Sequence, residues 1–220
     1  MFLGGNLDNF RKGFERIKLP AVLVTNTAES LGFDNLSSVT TDDKAASESV
    51  VEYLVSMGHE KIGVIGGSCE SSNISNTRMK GVLAVTEAHG LGFDPELQFE
   101  QARYSFESAY RAAHRLLEKN PGITAVFAMS DVMAIGAMRA MADRGLRIPH
   151  DICIAGYDGI ELVNYYNPKL TTIRQLQDEL AKNGVDILLK QIERNAAPLH
   201  KVLSYELVEG ESVKPSGKVV

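Results

Sequence analysis

Side chains that could bind a small polyhydroxylated molecule follow several apolar segments of the chain. The candidates are Arg78, Tyr104, Ser130, Asp131 and Asp158. Arginine and aspartate make charge-assisted hydrogen bonds to hydroxyl groups, and an aromatic ring covers the apolar face of a sugar or stacks on a base. This mixture of residue types indicates a site for a sugar or a related small metabolite.

Each of these residues also has a purely structural explanation. Asp131 stands at a predicted helix start, where aspartate caps helices whatever the function of the protein. Asp158 lies between Gly156 and Gly159, a composition that is typical of turns. Arg78, taken alone, fits a solvated helix face equally well. The convergence of these residue types, rather than any one of them, favours a binding site.

The sequence contains none of the common catalytic or phosphate-binding motifs. It has no G-x-S-x-G segment and no G-x-x-x-x-G-K-[ST] loop, and residues 63–67 lack the dinucleotide-binding pattern. The five histidines have no ligand spacing, and Cys69 and Cys153 are too far apart in sequence for a zinc or redox motif. We therefore predict a protein that is not an enzyme and that uses neither a metal ion nor a cofactor.

Short apolar segments alternate with amphipathic segments along the chain. The apolar segments have the length and flanks of strands buried on both faces: residues 21–24, 61–66, 124–128 and 152–156, with a fainter one at 97–104. Helical periodicity and stop signals predict helices at residues 44–57, 76–89, 106–119, 131–144 and 175–194. The alternation predicts an α/β fold with doubly wound parallel sheets. Ligands of such sheets bind beyond the carboxyl ends of the strands, where the candidate residues lie.

Composition and charge exclude several classes of protein. The 220 residues are 44% hydrophobic and 23% charged, which is typical of a globular chain with one large or two small domains. The formal charge is −5 and there is no dense basic block, so the chain is a poor nucleic-acid binder by itself. No segment approaches the roughly 18 apolar residues of a membrane helix, and the N-terminus does not resemble a signal peptide. These features predict a cytoplasmic location.

Six segments together resemble the lactose-repressor and galactose-repressor (LacI/GalR) family of transcription factors. Three of them are residues 58–67 (GHEKIGVIGG), 78–81 (RMKG) and 128–137 (AMSDVMAIGA). The other three are residues 145–152 (GLRIPHDI), 156–158 (GYD) and 168–175 (PKLTTIRQ). Each motif is weak alone, but their order and spacing are preserved over nearly the whole chain, which makes the resemblance specific.

The resemblance implies a two-lobed, periplasmic-binding-protein-like (type I) fold whose first lobe is incomplete. Residues 1–60 would form part of the N-terminal lobe, completed by about 174–200. Residues 61–165 would form the C-terminal lobe, completed by about 201–213, and residues 214–220 would be a loose tail. Residues 1–3 are typical of the end of a strand, and residues 7–17 are typical of a helix. We therefore expect a fragment that lacks the first strands and the helix-turn-helix of the family.

The resemblance also assigns ligand contacts residue by residue. Arg78 falls on the arginine that grips the effector, Asp158 on the aspartate of the G(F/Y)D turn, and Tyr104 on the aromatic platform. Ser130 replaces the usual asparagine, which puts an amide contact there in doubt. Asp42 falls on the aspartate that opens a helix of the first lobe and is a weaker candidate.

The predicted function is the effector-binding and dimerisation core of a LacI/GalR-type transcriptional regulator. It would bind a sugar or related small metabolite and modulate DNA binding by a headpiece outside this chain, as a homodimer without a membrane partner. Purine-binding members carry a further arginine where this chain has Ser72, which argues against a purine effector. Two alternatives stay open: a solute-binding protein of a sugar transporter, and an α/β enzyme acting on a sugar or nucleoside.

Overall fold

The computed structural model describes residues 1–69 and 74–217. It contains two β-sheets built of parallel strands, with helices packed against them. The sheets belong to two compact units. The first unit contains residues 1–42 and 175–205 together with Ile74, and the second contains residues 43–69, 75–174 and 206–217. The arrangement confirms the predicted α/β class with parallel sheets.

The sheet of the first unit has four strands, each parallel to its neighbour. Their order is β1 (Phe2–Leu3), β2 (Ala21–Val24), β3 (Leu36–Thr41) and β9 (His200–Leu203). Two α-helices accompany it: α1 (Leu7–Gly13) and α7 (Gln177–Arg194).

The short strand β2 is buried on both faces, as its apolar sequence predicts. Successive side chains of a strand point to opposite faces. Ala21 and Leu23 accordingly join an apolar cluster with α1, whereas Val22 and Val24 pack with Leu180 and other apolar residues of α7. The first sheet therefore depends on a helix from the far end of the chain for one of its two apolar layers.

The sheet of the second unit has six strands. Their order is β10 (Tyr205–Val208), β8 (Thr171–Gln175), β7 (Cys153–Asp158), β6 (Ala125–Ala128), β4 (Ile62–Gly66) and β5 (Phe99–Gln101). The pairings from β5 through β4, β6 and β7 to β8 are parallel. Strand β5 is the faint strand expected at 97–104, in a shorter form.

Helices cover the second sheet close to the predicted positions. They are α2 (Asp43–Ser56), α3 (Ile74–Ala88), the short α4 (Pro95–Gln98), α5 (Phe106–Lys119) and α6 (Asp131–Asp143). Leu116 of α5 and Met133 of α6 share one apolar cluster with Ile65 and Ile154 of the sheet. No helix within the described ranges is both long and apolar enough to cross a membrane.

Helices α2 and α3 approach each other closely at Gly81, the glycine of the RMKG segment. A Cβ atom at this position would lie 2.6 Å from the carbonyl oxygen of Lys44 and 2.8 Å from the Cβ of Ser47. Both distances are shorter than ordinary van der Waals contact, so only glycine allows this packing. The close approach explains one residue of the family motif in physical terms.

The compact units differ from the predicted lobe boundaries in two places. Helix α2 lies in the second unit rather than the first, because it packs on α3 and its first residue, Asp43, binds Arg78. Strand β9, which begins at His200, lies in the first unit because it pairs with β3. The chain therefore changes unit after Asp42 and after Tyr205, and not near residues 60 and 200.

The C-terminal segment is tied to the second unit, although the sequence predicts a loose tail from residue 214. The hydroxyl of Ser212 donates to the carbonyl oxygen of Ile154 (2.6 Å). Nε2 of the buried His59 donates to the carbonyl oxygen of Lys214 (3.0 Å), and burial lowers the pKa of this imidazole. The amide of Ser216 donates to the carbonyl oxygen of Met57, the residue after α2, at 2.7 Å. These contacts of Lys214 and Ser216 differ from the expected loose tail, and residues 218–220 lie outside the described ones.

Replacing Gly81 with alanine is expected to destabilise the second unit by about 1–3 kcal/mol, since the new methyl group forces α2 and α3 apart. This cost exceeds the gain in helix propensity. Urea unfolding followed by circular dichroism measures it. The matched control is Gly92→Ala, where an added Cβ meets no atom within 4 Å and the change should stay within about 0.5 kcal/mol. Equal effects of the two substitutions would contradict the packing argument.

Candidate ligand-binding site

The carboxyl ends of neighbouring strands place polar side chains along one edge of the second sheet. Asp158 ends β7, Tyr104 follows β5, and Ser130 and Asp131 follow β6. Arg78 lies in α3, the helix after β4. The charge of Arg78 interacts with both Tyr104 and Asp158, so three of the predicted ligand contacts lie close together. This edge is where ligands of parallel α/β sheets bind.

Arg78 is the centre of this cluster and is itself almost completely buried, with 4% of its surface exposed. Its Nε donates to Oδ1 of Asp43 at 2.8 Å, and its Nη1 donates to the carbonyl oxygen of Met129. The guanidinium carbon lies 3.6 Å from the centroid of the Tyr157 ring, within cation–π range. The hydroxyl of Tyr157 donates to the same Asp43 oxygen at 2.9 Å. Three neighbours, Asp43, Met129 and Tyr157, thus fix the position of the guanidinium.

The electrostatics of this cluster keep Arg78 charged. Burial acts to lower the pKa of Arg78, but the carboxylate of Asp43 outweighs it together with smaller contributions from Tyr157, Tyr104 and Asp158, so that the pKa is raised. Burial also raises the pKa of Tyr157, whose hydroxyl stays protonated and can donate to Asp43. The buried positive charge is therefore held by one fully buried counter-ion.

Tyr104 offers an exposed aromatic surface beside Arg78. Its hydroxyl is 2.7 Å from Oγ of Ser75, while 47% of the residue remains exposed. Burial of the hydroxyl raises the pKa of Tyr104, against the opposing charge of Arg78. The ring is thus anchored at its polar end and open elsewhere, as an aromatic platform for a sugar requires.

Asp131 has a different role from the helix cap that its position suggests. Oγ of Ser130 caps α6 by accepting a hydrogen bond from the Met133 amide at 3.1 Å. The Asp131 carboxylate instead accepts from the Thr172 hydroxyl at 2.6 Å and from the Ile160 amide at 2.8 Å. Burial raises the pKa of Asp131 to about 7, although these hydrogen bonds favour the charged form.

The carboxylate of Asp131 also fixes the backbone on which Asp158 stands. Asp158 has a φ of 114°, in the region that favours glycine, and the following Gly159 has a φ of 72°. The amide of Ile160, which follows Gly159, donates to Oδ2 of Asp131 at 2.8 Å. A Cβ atom at Gly156 would lie 2.3 Å from Oδ1 of Asp131, so glycine is required there for the carboxylate to enter. Asp131 is therefore a positioning residue for Asp158.

The remaining predicted contacts are placed less favourably. Ser130 is 2% exposed, and its hydroxyl oxygen serves α6 as a cap. Asp42 is exposed and belongs to the first unit, whereas Arg78, Tyr104 and Asp158 belong to the second. Ser72, used above against a purine ligand, lies outside the described residues. Ligand contacts from Ser130 and Asp42 stay predictions.

Within residues 1–69 and 74–217, no group of three or more histidine, cysteine, aspartate or glutamate side chains is arranged to hold a metal ion. The site is instead built from one arginine, two tyrosines and three carboxyl groups, which are Arg78, Tyr104, Tyr157, Asp43, Asp131 and Asp158. Such a set can donate to and accept from hydroxyl groups and can cover an apolar sugar face.

Comparison with known families assigns this architecture. The profile of a family described as periplasmic binding protein-like domain matches residues 51–213, which is well over half of the chain. The chain belongs to this family. The matched residues include Arg78, Tyr104 and Asp158, so the family assignment covers the candidate site itself.

Relatives of this periplasmic binding protein-like domain are transcriptional regulators. It is 35% identical to the HTH-type transcriptional regulator MalR of Clostridium butyricum, over 96% of this chain and 63% of that protein. It is 32% identical to the HTH-type transcriptional repressor CytR of Escherichia coli K12, over 88% of this chain and 55% of that protein. The chain thus spans less than two thirds of these curated relatives.

A solved structure of a transcriptional regulator is also similar to this chain. The crystal structure of a LacI family transcriptional regulator from Enterococcus faecium with bound ribose superimposes with a TM-score of 0.83 at 27% identity, over 95% of this chain and 76% of that chain. Together with the curated relatives, it shows that the periplasmic binding protein-like domain is similar to LacI-family transcriptional regulators over nearly the whole of this chain. The family resemblance of the sequence motifs is confirmed.

The sequence does not identify the residues that hold the candidate ligand contacts in place without contacting a ligand themselves. Asp43 follows the predicted Asp42 directly, and the sequence does not show which of the two aspartates binds Arg78. Tyr157 and Thr172 lie within recognised motifs, but nothing in their spacing indicates that their hydroxyls bind the carboxylates of Asp43 and Asp131.

Replacing Asp43 with alanine is expected to lower the free energy of unfolding by about 3–5 kcal/mol, because the charge of Arg78 then stays buried without its counter-ion. Urea unfolding followed by circular dichroism measures the loss. The control is Glu118→Ala, which breaks an exposed ion pair with Arg144 and should cost less than about 1 kcal/mol. A loss for Asp43→Ala no larger than the control's would show that the buried pair is unimportant.

Proposed function

We propose that this chain binds a sugar or a related small metabolite as the effector of a LacI-family transcriptional regulator. The observation that carries the proposal is the juxtaposition of a half-exposed aromatic ring, Tyr104, with a charged arginine and a partly exposed aspartate, Asp158. The aromatic ring covers the apolar face of a sugar, while arginine donates to its hydroxyl oxygens and aspartate accepts from its hydroxyl groups.

The proposed contacts have separate roles. Arg78 donates from the part of its guanidinium that Asp43 and Met129 do not occupy, and Tyr104 supplies the platform. Asp158 accepts hydroxyl protons from a backbone that Asp131 holds in place. Ser130 and Asp42 are the weaker members of the proposed contact set.

The relatives favour a regulator over the two alternatives raised by the sequence. MalR and CytR are named as transcriptional regulators and not as transporter components or enzymes. The Enterococcus faecium regulator of similar fold is described with ribose bound, which supports a sugar as ligand. We propose that the chain has no catalytic activity and acts in the cytoplasm.

In the complete regulator, we propose, effector binding changes the affinity of a DNA-binding segment for its operator. Such a change is a coupling free energy between two sites and acts in both directions. Operator DNA would be bound through that segment and not through this chain, whose formal charge of −5 opposes contact with phosphates.

A thermal melt with a panel of mono- and disaccharides, sugar phosphates and nucleosides tests the proposed ligand class. One sugar class is expected to raise the midpoint by roughly 5–10 °C at 100 times its Kd, which corresponds to about 2.7 kcal/mol. Tyr104→Ala should abolish the shift, because it removes the platform. Circular dichroism is the appropriate probe, since the chain has no tryptophan.

The matched control for Tyr104→Ala is Phe106→Ala. Both residues are aromatic and 47% exposed, and they lie two positions apart, but only Tyr104 has a hydroxyl, which anchors it to Ser75 of α3. The control should keep the full ligand shift. Melts that no sugar changes would refute the proposed function, and turnover of a bound sugar would revive the enzyme alternative.

Dimerisation is a further part of the proposed function and is tested separately. Sedimentation equilibrium is expected to give twice the chain mass of 24.0 kDa, because the repressor-type relatives act on DNA and closed two-fold dimers are the commonest assembly. A mass of one chain at all concentrations tested would remove the homodimer from the proposal and leave ligand binding unaffected.

A further inference from the structure

The charge balance around Arg78 bears on which sugars the site accepts, and the inference rests on the proposed function. Arginine is the residue that proteins most often use to bind carboxylates and phosphates. Here its charge is already matched by Asp43, through a 2.8 Å hydrogen bond between two side chains that are 4% and 7% exposed. A buried pair of this kind presents a dipole to a ligand rather than a free positive charge.

A second carboxylate, that of Asp158, adds negative charge to the surroundings of the arginine. Among the described residues of the second unit, Asp158 acts on Arg78 and on both tyrosines of the site, Tyr104 and Tyr157. Arg174 of β8 lies opposite Asp158 in the sheet and carries the opposite charge. Asp131, with a pKa raised to about 7, adds further negative charge when it ionises.

The arginine nevertheless keeps hydrogen-bond donors for a ligand. A guanidinium has five N–H groups. One of them donates from Nε to Asp43 and another donates from Nη1 to the Met129 carbonyl. The N–H groups of Nη2 have no partner among the described residues. Oxygen atoms without charge, such as sugar hydroxyls, can accept from these donors without meeting the carboxylates' repulsion.

We propose that Asp43 makes this site selective for uncharged polyhydroxylated ligands, meaning neutral sugars, over sugar acids and sugar phosphates. Asp43 acts as a specificity-determining residue behind the ligand contacts. It leaves Arg78 able to donate hydrogen bonds but cancels the attraction that would draw an anion, so an anionic ligand would lose its hydration without gaining a matching charge.

Isothermal titration calorimetry with matched sugars tests the proposal on the wild-type chain. The probes are glucose with glucuronate and glucose 6-phosphate, galactose with galacturonate, and ribose with ribose 5-phosphate. In any set that binds, the neutral sugar is expected to bind at least about tenfold more tightly than its anionic partners, because an anion must be desolvated beside an arginine whose charge is already matched. An anion that binds more tightly than its neutral partner would overturn the proposal.

The variant Asp43→Asn isolates the charge. Asparagine keeps an oxygen that can accept from Nε of Arg78 and from the Tyr157 hydroxyl, and it has nearly the same volume. The preference for the neutral sugar over its anion should fall by roughly tenfold in this variant. Glu118→Gln removes one negative charge from an exposed position and should leave the preference unchanged.

The outcomes separate this inference from the function on which it rests. A preference that is identical in wild type and in folded Asp43→Asn would overturn the role of Asp43 while leaving sugar binding intact. If neither neutral nor anionic sugars bind the wild-type chain, the proposed function itself fails. If Asp43→Asn does not fold, the ratio of affinities measured on the wild-type chain still decides whether the site prefers uncharged sugars.

Discussion

The buried contact between Arg78 and Asp43 is the interaction on which the candidate site depends. A guanidinium cannot be removed from water without a partner of opposite charge, and here the partner comes from the first residue of α2. The contacts of Arg78 with Met129 and Tyr157 extend the constraint to the ends of β6 and β7. One side chain thus joins two helices and two strands, and its remaining donors acquire a defined direction because the others are occupied.

A second buried carboxylate, that of Asp131, holds the backbone beside the site in place, as Asp43 holds the side chain of Arg78. Asp131 collects hydrogen bonds from Thr172 of β8 and from the turn after β7, and Gly156 leaves the space that it fills. The turn carries Asp158 in a backbone conformation that a non-glycine residue adopts only when its surroundings enforce it. The groups proposed to face a ligand are therefore held from behind by residues that a ligand does not need to touch.

Much of this arrangement could be predicted from the sequence, but only where local pattern decides the structure. Buried strands such as β2 and β6 follow from short apolar runs, and the edge that carries Arg78, Tyr104 and Asp158 follows from the parallel topology. The position of α2 could not be predicted, because helical periodicity does not show which sheet a helix packs against. The tie between His59 and the C-terminal segment was missed for a similar reason, since it joins residues that are distant in sequence.

The interleaving of the two units has a consequence for how the chain acquires its structure. Strand β9 pairs with β3, and α7 supplies the apolar layer over Val22 and Val24, yet both elements lie beyond residue 176. On a ribosome, which releases a chain from its N-terminus, residues 1–42 emerge before the edge strand and the covering helix of their own sheet. One apolar face of the first sheet therefore stays uncovered while the long middle segment of the second unit is synthesised. The contacts that complete this sheet, made by β9 and α7, are among the most non-local in the protein.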